Sequence, residues 1–259
     1  MATPLFSIQS DDQVVTITFS NPPANVLSAE ALTQLDQIVG QVEGASSHQV
    51  VILTSAGRFF CTGADLRELR QIRSAKEGRA FSTRGQLLLK RIEKLEKPVI
   101  AVIQGGCLGG GLELAMACHL RLAVPEAYFG LPEIKLGLIP GFGGTQRLPN
   151  LIGLAKGTEL ILTGKTLSAD EAHTLGLINE VVPLPNVLTR AHNLAHLIKE
   201  KGRAAIRAAL EAIRSRRDSM VNKGFTQEAE LFGRLCETSD AQEGITAFLE
   251  KRPPRFRDP

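Results

Sequence analysis

Ile103-Gln104-Gly105-Gly106-Cys107-Leu108-Gly109-Gly110-Gly111-Leu112-Glu113-Leu114-Ala115-Met116-Ala117-Cys118 decides how this chain is read. An apolar, β-rich run from Val99 to Ile103 feeds five glycines within seven residues, and an almost wholly apolar helical segment follows. Without Cβ atoms, the glycines let the backbone turn sharply and let a ligand approach the main chain. N–H groups at a helix start, with the dipole behind them, form a ready site for negative charge. Glu113 falls in the first turn of that helix among apolar side chains. Burying such a carboxyl alone is costly and raises its pKa. Backbone donors beside an awkward carboxylate suit the stabilisation of an oxyanion and the movement of a proton.

Composition narrows the field. A chain of 259 residues can form one large α/β domain, or one domain with a small appendage. Its 43% apolar and 22% charged content is ordinary for a soluble globular protein. A net charge of +3 is too small to make nucleic acid or a membrane surface the main partner. Cys61, Cys107, Cys118 and Cys236 form no CxxC pair, which favours reduced, buried thiols in a cytoplasmic protein over a metal site. Met1 to Phe6 lacks a basic region followed by an apolar core, so no signal peptide is expected. No apolar run approaches the roughly 20 residues of a membrane span.

Outward from the central stretch, Val14 to Phe19 reads as a strand and Asn21-Pro22-Pro23-Ala24-Asn25 as a loop. Ser28 caps a helix with Leu32, Leu35, Ile38 and Val39 at helical spacing. Val50 to Thr54 is apolar on both faces, as a buried parallel strand is. Phe59-Phe60-Cys61-Thr62-Gly63-Ala64-Asp65-Leu66 bends at Gly63 into a charged helix, and residues 75 to 95 form a long amphipathic helix stopped by Pro98. Leu120 to Val124 is a further strand, Tyr128 to Gly130 is extended, and Pro140-Gly141-Phe142-Gly143-Gly144-Thr145 is a second glycine-rich loop opening a helix. The rest reads as separate helices at 154–162, 169–175, 188–199, 203–213, 227–236 and 241–250. Recurring strand–turn–helix units predict parallel sheets with crossover helices.

Several motifs fail on inspection. Gly164-Lys165-Thr166 resembles the end of a phosphate loop, but its first glycine would have to stand where Glu159 is. Neither glycine-rich loop satisfies GxGxxG, since Leu108 and Gln146 fall where glycine is required. The histidines are unclustered, and His119 beside the apolar run reads as a structural residue rather than a base. The cluster Arg203, Arg207, Arg214, Arg216 and Arg217 is balanced by Glu200, Glu211 and Asp218 without interleaved aromatics, which reads as a solvated helix face rather than an RNA surface.

Three segments together resemble the enoyl-CoA hydratase (crotonase) superfamily: Phe60-Cys61-Thr62-Gly63-Ala64-Asp65-Leu66, Gly109 to Ala115, and Leu131 to Leu148, the last containing Glu133-Ile134-Lys135-Leu136-Gly137-Leu138-Ile139-Pro140-Gly141-Phe142-Gly143-Gly144-Thr145. The ending Phe248-Leu249-Glu250-Lys251-Arg252-Pro253-Pro254 is similar to that family's as well. The resemblance implies an α/β fold, a crotonase-type spiral of ββα units with parallel sheets over residues 1–198, and a C-terminal helical trimerisation region over 199–259. It implies an enoyl-CoA hydratase that reversibly adds water to trans-2-enoyl-CoA, as in fatty-acid β-oxidation. A methylglutaconyl-CoA hydratase, a polyketide-type acyl thioester dehydratase, and an RNA- or acyl-CoA-binding protein are the alternatives. No metal or redox cofactor is expected, coenzyme A being part of the substrate.

Residue by residue, the resemblance makes Ala64 and Gly110 the two main-chain donors to the thioester oxygen, and Glu113 and Glu133 the carboxyls flanking a water. It gives Glu133 the Cα proton and Glu113 the activation of water, although spacing alone assigns neither role. Asp65 is read as a brace of the oxyanion turn. Asn25, Val26, Thr62, Gly63, Asp65, Leu66, Gly109 and Gly141 fall at positions that bind substrate and coenzyme A, and Phe232 and Lys251 at positions that meet a neighbouring subunit's coenzyme. A homo-oligomer, trimer or dimer of trimers, is implied, with neither membrane nor nucleic acid as partner.

Overall fold

Hydrophobic strands, short second strands and helices follow one another in a repeated plan. The computed structural model of the chain describes residues 4–256, without the side chains of 215–223; Arg216, Arg217 and Asp218 of the basic cluster therefore lie outside the described side chains. β1 (Phe6–Asp11) and β2 (Val14–Phe19) form a hairpin, and Ser28 caps α1 (Ala29–Gly44) by accepting from the Ala31 N–H. β3 (Val50–Ser55) and β4 (Phe59–Cys61) lead to α2 (Leu66–Leu69) and α3 (Ala75–Glu93). β5 (Val99–Ile103) and β6 (Gly106–Leu108) lead to α4 (Gly110–Ala117). β7 (Leu120–Ala123) and β8 (Tyr128–Gly130) lead to a 3-10 helix (Pro132–Leu136) and then α5 (Gly144–Ile152). The chain continues through α6 (Leu154–Thr163), β9 (Thr166–Ser168), α7 (Ala169–Thr174), β10 (Glu180–Val181), α8 (Leu184–Lys199), α9 (Arg203–Cys236) and α10 (Ser239–Leu249).

The first strand of each unit joins a six-stranded sheet, ordered β1-β2-β3-β5-β7-β10 and parallel except for β1. The second joins a four-stranded sheet, ordered β4-β6-β8-β9, in which β9 alone is antiparallel. Stepping between two sheets before each helix winds the chain into the expected spiral of ββα units. Val50–Ser55 and Val99–Ile103 are buried along their whole length, so both faces of the larger sheet's centre are covered, as parallel strands require. No helix among the described residues is long and apolar enough to cross a membrane.

The structure corrects several sequence expectations. Gly105 lies in the bend between β5 and β6, whereas Gly106 does not turn but opens β6, paired in register with Tyr128. They are glycines because of crowding: a Cβ on Gly105 would stand 2.0 Å from the Arg58 carbonyl oxygen, and one on Gly106 would stand 2.7 Å from the Tyr128 ring. Only Gly109 in that stretch takes a left-handed φ, +51°. The helices expected at 203–213 and 227–236 are one helix, α9. It lies against α3 where a Cβ on Gly78 would come within 2.9 Å of the Gly233 Cα, so tertiary packing carries the helix across its polar middle. α8 begins at Leu184, before the expected start at 188. β1 escaped notice because five of its six residues are exposed, leaving no periodic apolar face.

α4 is pressed against β4: a Cβ on Gly111 would lie 2.2 Å from the Cys61 carbonyl oxygen. Alanine favours a helix interior over glycine by about 1 kcal/mol, but forcing atoms into a filled core costs about 1–3 kcal/mol. Overpacking against fixed backbone wins, so Gly111→Ala should lower the urea midpoint, and an unchanged or raised midpoint would contradict the packing described.

Candidate active site

Two bends meet at the front of α4. Gly63 takes φ +100°, which a residue with a Cβ rarely adopts. Its carbonyl accepts from the Leu27 N–H at 2.8 Å, and Asp65 caps α2 by accepting from the Arg67 N–H at 2.8 Å. A Cβ on Gly63 would lie 3.2 Å from the Gly110 nitrogen, so this bend touches the first turn of α4. Gly109 is fixed from the other side by its N–H to the Gly130 carbonyl, 2.9 Å. Among the described residues no acceptor is placed against the N–H of Ala64 or of Gly110. Adjacent, unsatisfied main-chain donors at a helix start are suited to an anionic oxygen.

Glu113 and Glu133 reach this place from different elements. Glu113, in the first turn of α4, is 1% exposed, and its Oε1 accepts from the Phe142 N–H at 2.8 Å and the Gly144 N–H at 2.6 Å. Glu133 follows Pro132 at the start of the 3-10 helix, and its Oε1 lies where a Gly109 Cβ would come within 3.0 Å. Glu133 as a residue is only half-buried, its helix lying partly at the surface, but its carboxyl end is enclosed: Oε2 is buried and has no hydrogen-bond partner among the described residues. An enclosed carboxyl oxygen without a protein partner is available to a ligand.

Both carboxyls hold their protons far above the ordinary range. Burial is the main cause for Glu113, reinforced by the charges of Glu133 and Glu228 and opposed by the Gly144 N–H and Arg147. Burial pushes Glu133 up to about 8, against the pull of its own main-chain N–H, and Glu228 adds to the rise. The charge of Glu133 opposes the ionisation of Glu113, so the two do not ionise together readily.

The other expected residues divide into those at the site and those spent on structure. Thr62 ties the turn to the first loop, its hydroxyl donating to the Ala24 carbonyl at 2.9 Å. Asn25 is buried, and its side chain is wholly occupied: Oδ1 accepts from the Asn21 N–H, and Nδ2 donates to the Ala56 and Phe59 carbonyls. It shapes the loop carrying the half-buried Val26 rather than presenting its amide to a ligand. Ala64 and Leu66 border an apolar cluster with Leu69, Leu138, Phe232 and Ile245. Phe232 therefore packs within its own chain, stacked on Phe81 with centroids 6.0 Å apart and filling the space that a Gly141 Cβ would take, 2.8 Å from its ring. Lys251 is exposed beyond α10. His119 accepts from the Val99 N–H at 2.9 Å, and burial pulls it down to about 4, a neutral structural residue.

Sequence reasoning missed the groups that hold the second glycine loop. Glu228 of α9 is 2% exposed and accepts from the Gly143 N–H at 2.6 Å and the Thr145 N–H at 2.9 Å. Arg147 is buried, forms a two-bond ion pair with Glu93 and donates to the Phe142 carbonyl. The available signal was spacing, since Glu228 stands three residues after Phe225 and four before Phe232, on one helical face with two aromatics.

Comparison with known proteins relates the whole chain to a family. A model described as enoyl-CoA hydratase/isomerase matches residues 9–259. A probable enoyl-CoA hydratase of Bacillus subtilis is 43% identical over 252 residues, 97% of this chain and 98% of that protein. The short-chain-enoyl-CoA hydratase of Clostridium acetobutylicum is 38% identical over 95% of this chain and 94% of its own length. A crystal structure of an enoyl-CoA hydratase from Bacillus anthracis superposes with a TM-score of 0.80 at 39% identity, covering 98% of this chain and 99% of that one.

The raised carboxyl has a consequence for stability. Folded Glu133 keeps its proton to about pH 8, whereas the unfolded chain loses it near 4.5. Between those limits the folded state binds more protons, so stability falls as pH rises. Glu133→Gln removes this loss, and its advantage over the wild type should grow by about 1.4 kcal/mol per pH unit across the window. Urea unfolding at pH 5, 6.5 and 8 measures it; a difference that stays flat would show that the carboxyl titrates normally.

Proposed function

The chain belongs to the enoyl-CoA hydratase/isomerase family, and from that premise we propose that it adds water reversibly across the double bond of a trans-2-enoyl-CoA to give the 3-hydroxyacyl-CoA. The observation that carries this reading is the pair of buried carboxyls, Glu113 and Glu133, set beside the contacting bends at Gly63 and Gly109. Hydration needs a base and an acid in one place; two carboxyls sharing one proton provide both.

The Ala64 and Gly110 N–H groups hold the thioester oxygen and strengthen as it takes up charge, each donor contributing about 3 kcal/mol to the transition state. In the singly charged pair the charge falls on Glu113, steadied by the Phe142 and Gly144 N–H groups, and that carboxylate takes a proton from water as its oxygen bonds to Cβ. The double-bond electrons move toward the thioester oxygen. Glu133, protonated at neutral pH, delivers its proton to Cα. Atoms and electrons balance without any change of oxidation state, so the chemistry calls for no redox cofactor.

Coenzyme A runs past Val26 and the turn from Thr62 to Leu66. The C-terminal region, residues 199–259, serves assembly into a trimer or a dimer of trimers. Large apolar side chains of that region left in solvent support the assembly: Ile213 is 68% exposed and Phe248 61%. The relatives' names, short-chain enoyl-CoA among them, make crotonyl-CoA the first substrate to test.

Purified protein should bleach the conjugated-thioester absorbance of crotonyl-CoA. Glu113→Gln and Glu133→Gln should each lower kcat by about 10²- to 10⁴-fold. A Glu133→Gln enzyme as fast as the wild type would overturn the mechanism. A series of enoyl thioesters from crotonyl to hexadecenoyl, compared by kcat/KM, then defines the acyl chain accepted.

A further inference from the structure

The second glycine loop presents four consecutive main-chain donors to two buried carboxylates in strict alternation. Phe142 N–H donates to Glu113 and Gly143 N–H to Glu228; Gly144 N–H returns to Glu113 and Thr145 N–H to Glu228. The loop therefore cannot shift toward either carboxylate without stretching its bonds to the other. Glu228 comes from α9, far along the chain, and nothing about its own place requires a charge in the core. Its burial is compensated only by what it holds.

We propose that Glu228 is a positioning residue for the hydration reaction: by gripping Gly143 and Thr145, it fixes the loop in the one register from which Phe142 and Gly144 can hold Glu113. The inference rests on the hydratase reading above. Glu228 acts on Glu113 through the main chain of four residues, Phe142 to Thr145. Its chemistry suits the task. Oε1 accepts from the Gly143 N–H and from Gln86 Nε2 at 3.0 Å, while Oε2 accepts from the Thr145 N–H and the Thr145 hydroxyl. Four donors converge on its two oxygens and pull against the burial that raises its proton affinity.

The supports on the other side of the loop match. From α3, Ser82 and Gln86 both donate to the Gly141 carbonyl, and Gln86 also reaches the Phe225 carbonyl of α9. From α5, Arg147 donates to the Phe142 carbonyl while paired with Glu93 of α3. The Gly141 and Phe142 carbonyls and the Phe142 and Gly143 N–H groups are thus committed to α3, α4, α5 or α9, and Glu228 is the member that links α9 to the Glu113 end. The charged groups facing Glu113 are Glu133 from the 3-10 helix, Glu228 from α9 and Arg147 from α5. Of these, Glu228 opposes its ionisation and Arg147 favours it.

Glu228→Gln tests this, because an amide must turn N–H bonds toward at least one of those donors. The expected result on crotonyl-CoA is a fall in kcat of about 10- to 100-fold, the scale of a displaced catalytic group, with KM little changed. The acid limb of the pH–rate profile should move to lower pH, since a like charge beside Glu113 is lost. Thr145→Val keeps every main-chain donor and deletes one bond to Glu228; it should show the same fall in kcat, smaller in size. If Glu228→Gln does not fold, Thr145→Val decides the matter. Folded variants with wild-type kcat and an unmoved profile would overturn the inference, and so would a loss that follows only the folded fraction. A wild-type protein inactive on all enoyl thioesters would instead remove the hydratase reading itself.

Discussion

The structure depends on making a buried carboxylate tolerable. Glu113 lies among apolar neighbours in the first turn of α4, where an unpaired charge would cost several kcal/mol. Among the described residues no cation forms an ion pair with it. The compensation comes from main-chain N–H groups at the start of α5, dipoles that lower the cost without cancelling the charge. The acid strength of the group consequently stays poised: burial and two other carboxyls raise it, while the Gly144 N–H and Arg147 pull it back. A salt bridge would have fixed Glu113 as a permanent anion and left it a weak base.

The spiral explains how such a place arises. Each ββα unit ends its short second strand at the same edge, so the turns after β4, β6 and β8 come together. They deliver the Gly63 bend, the Gly109 bend and Glu133. Glycines at these junctions serve contact as much as conformation. Gly111 yields space to the Cys61 carbonyl, and Gly105 to that of Arg58. Side chains at those positions would separate the turns and open the site.

Much of this was legible in the sequence, for identifiable reasons. Strands β3 and β5 and helix α3 announce themselves by long apolar patterns, and Glu113 by its isolation among apolar residues. Glu133 was visible only through resemblance, since a glutamate after a proline in a loop has no local signature. Glu228 was not legible because its partners lie 85 and 83 residues away and its neighbour Glu230 looks the same on paper. Asn25 was singled out by resemblance alone, and the bonds that fix its amide to carbonyls over thirty residues away had no local signature. Long-range hydrogen bonds leave no periodicity.

The long separation between Gly143 and Glu228 also orders events during synthesis. A nascent chain halted before α9 has both sheets, Glu113 and Glu133, but it lacks the Glu228 carboxyl that accepts from the Gly143 and Thr145 amides. Contacts of such separation close late, because the intervening segment must first be arranged. The ribosome thus releases the acceptor of the second glycine loop near the end of translation, and truncated products are born with that loop unset.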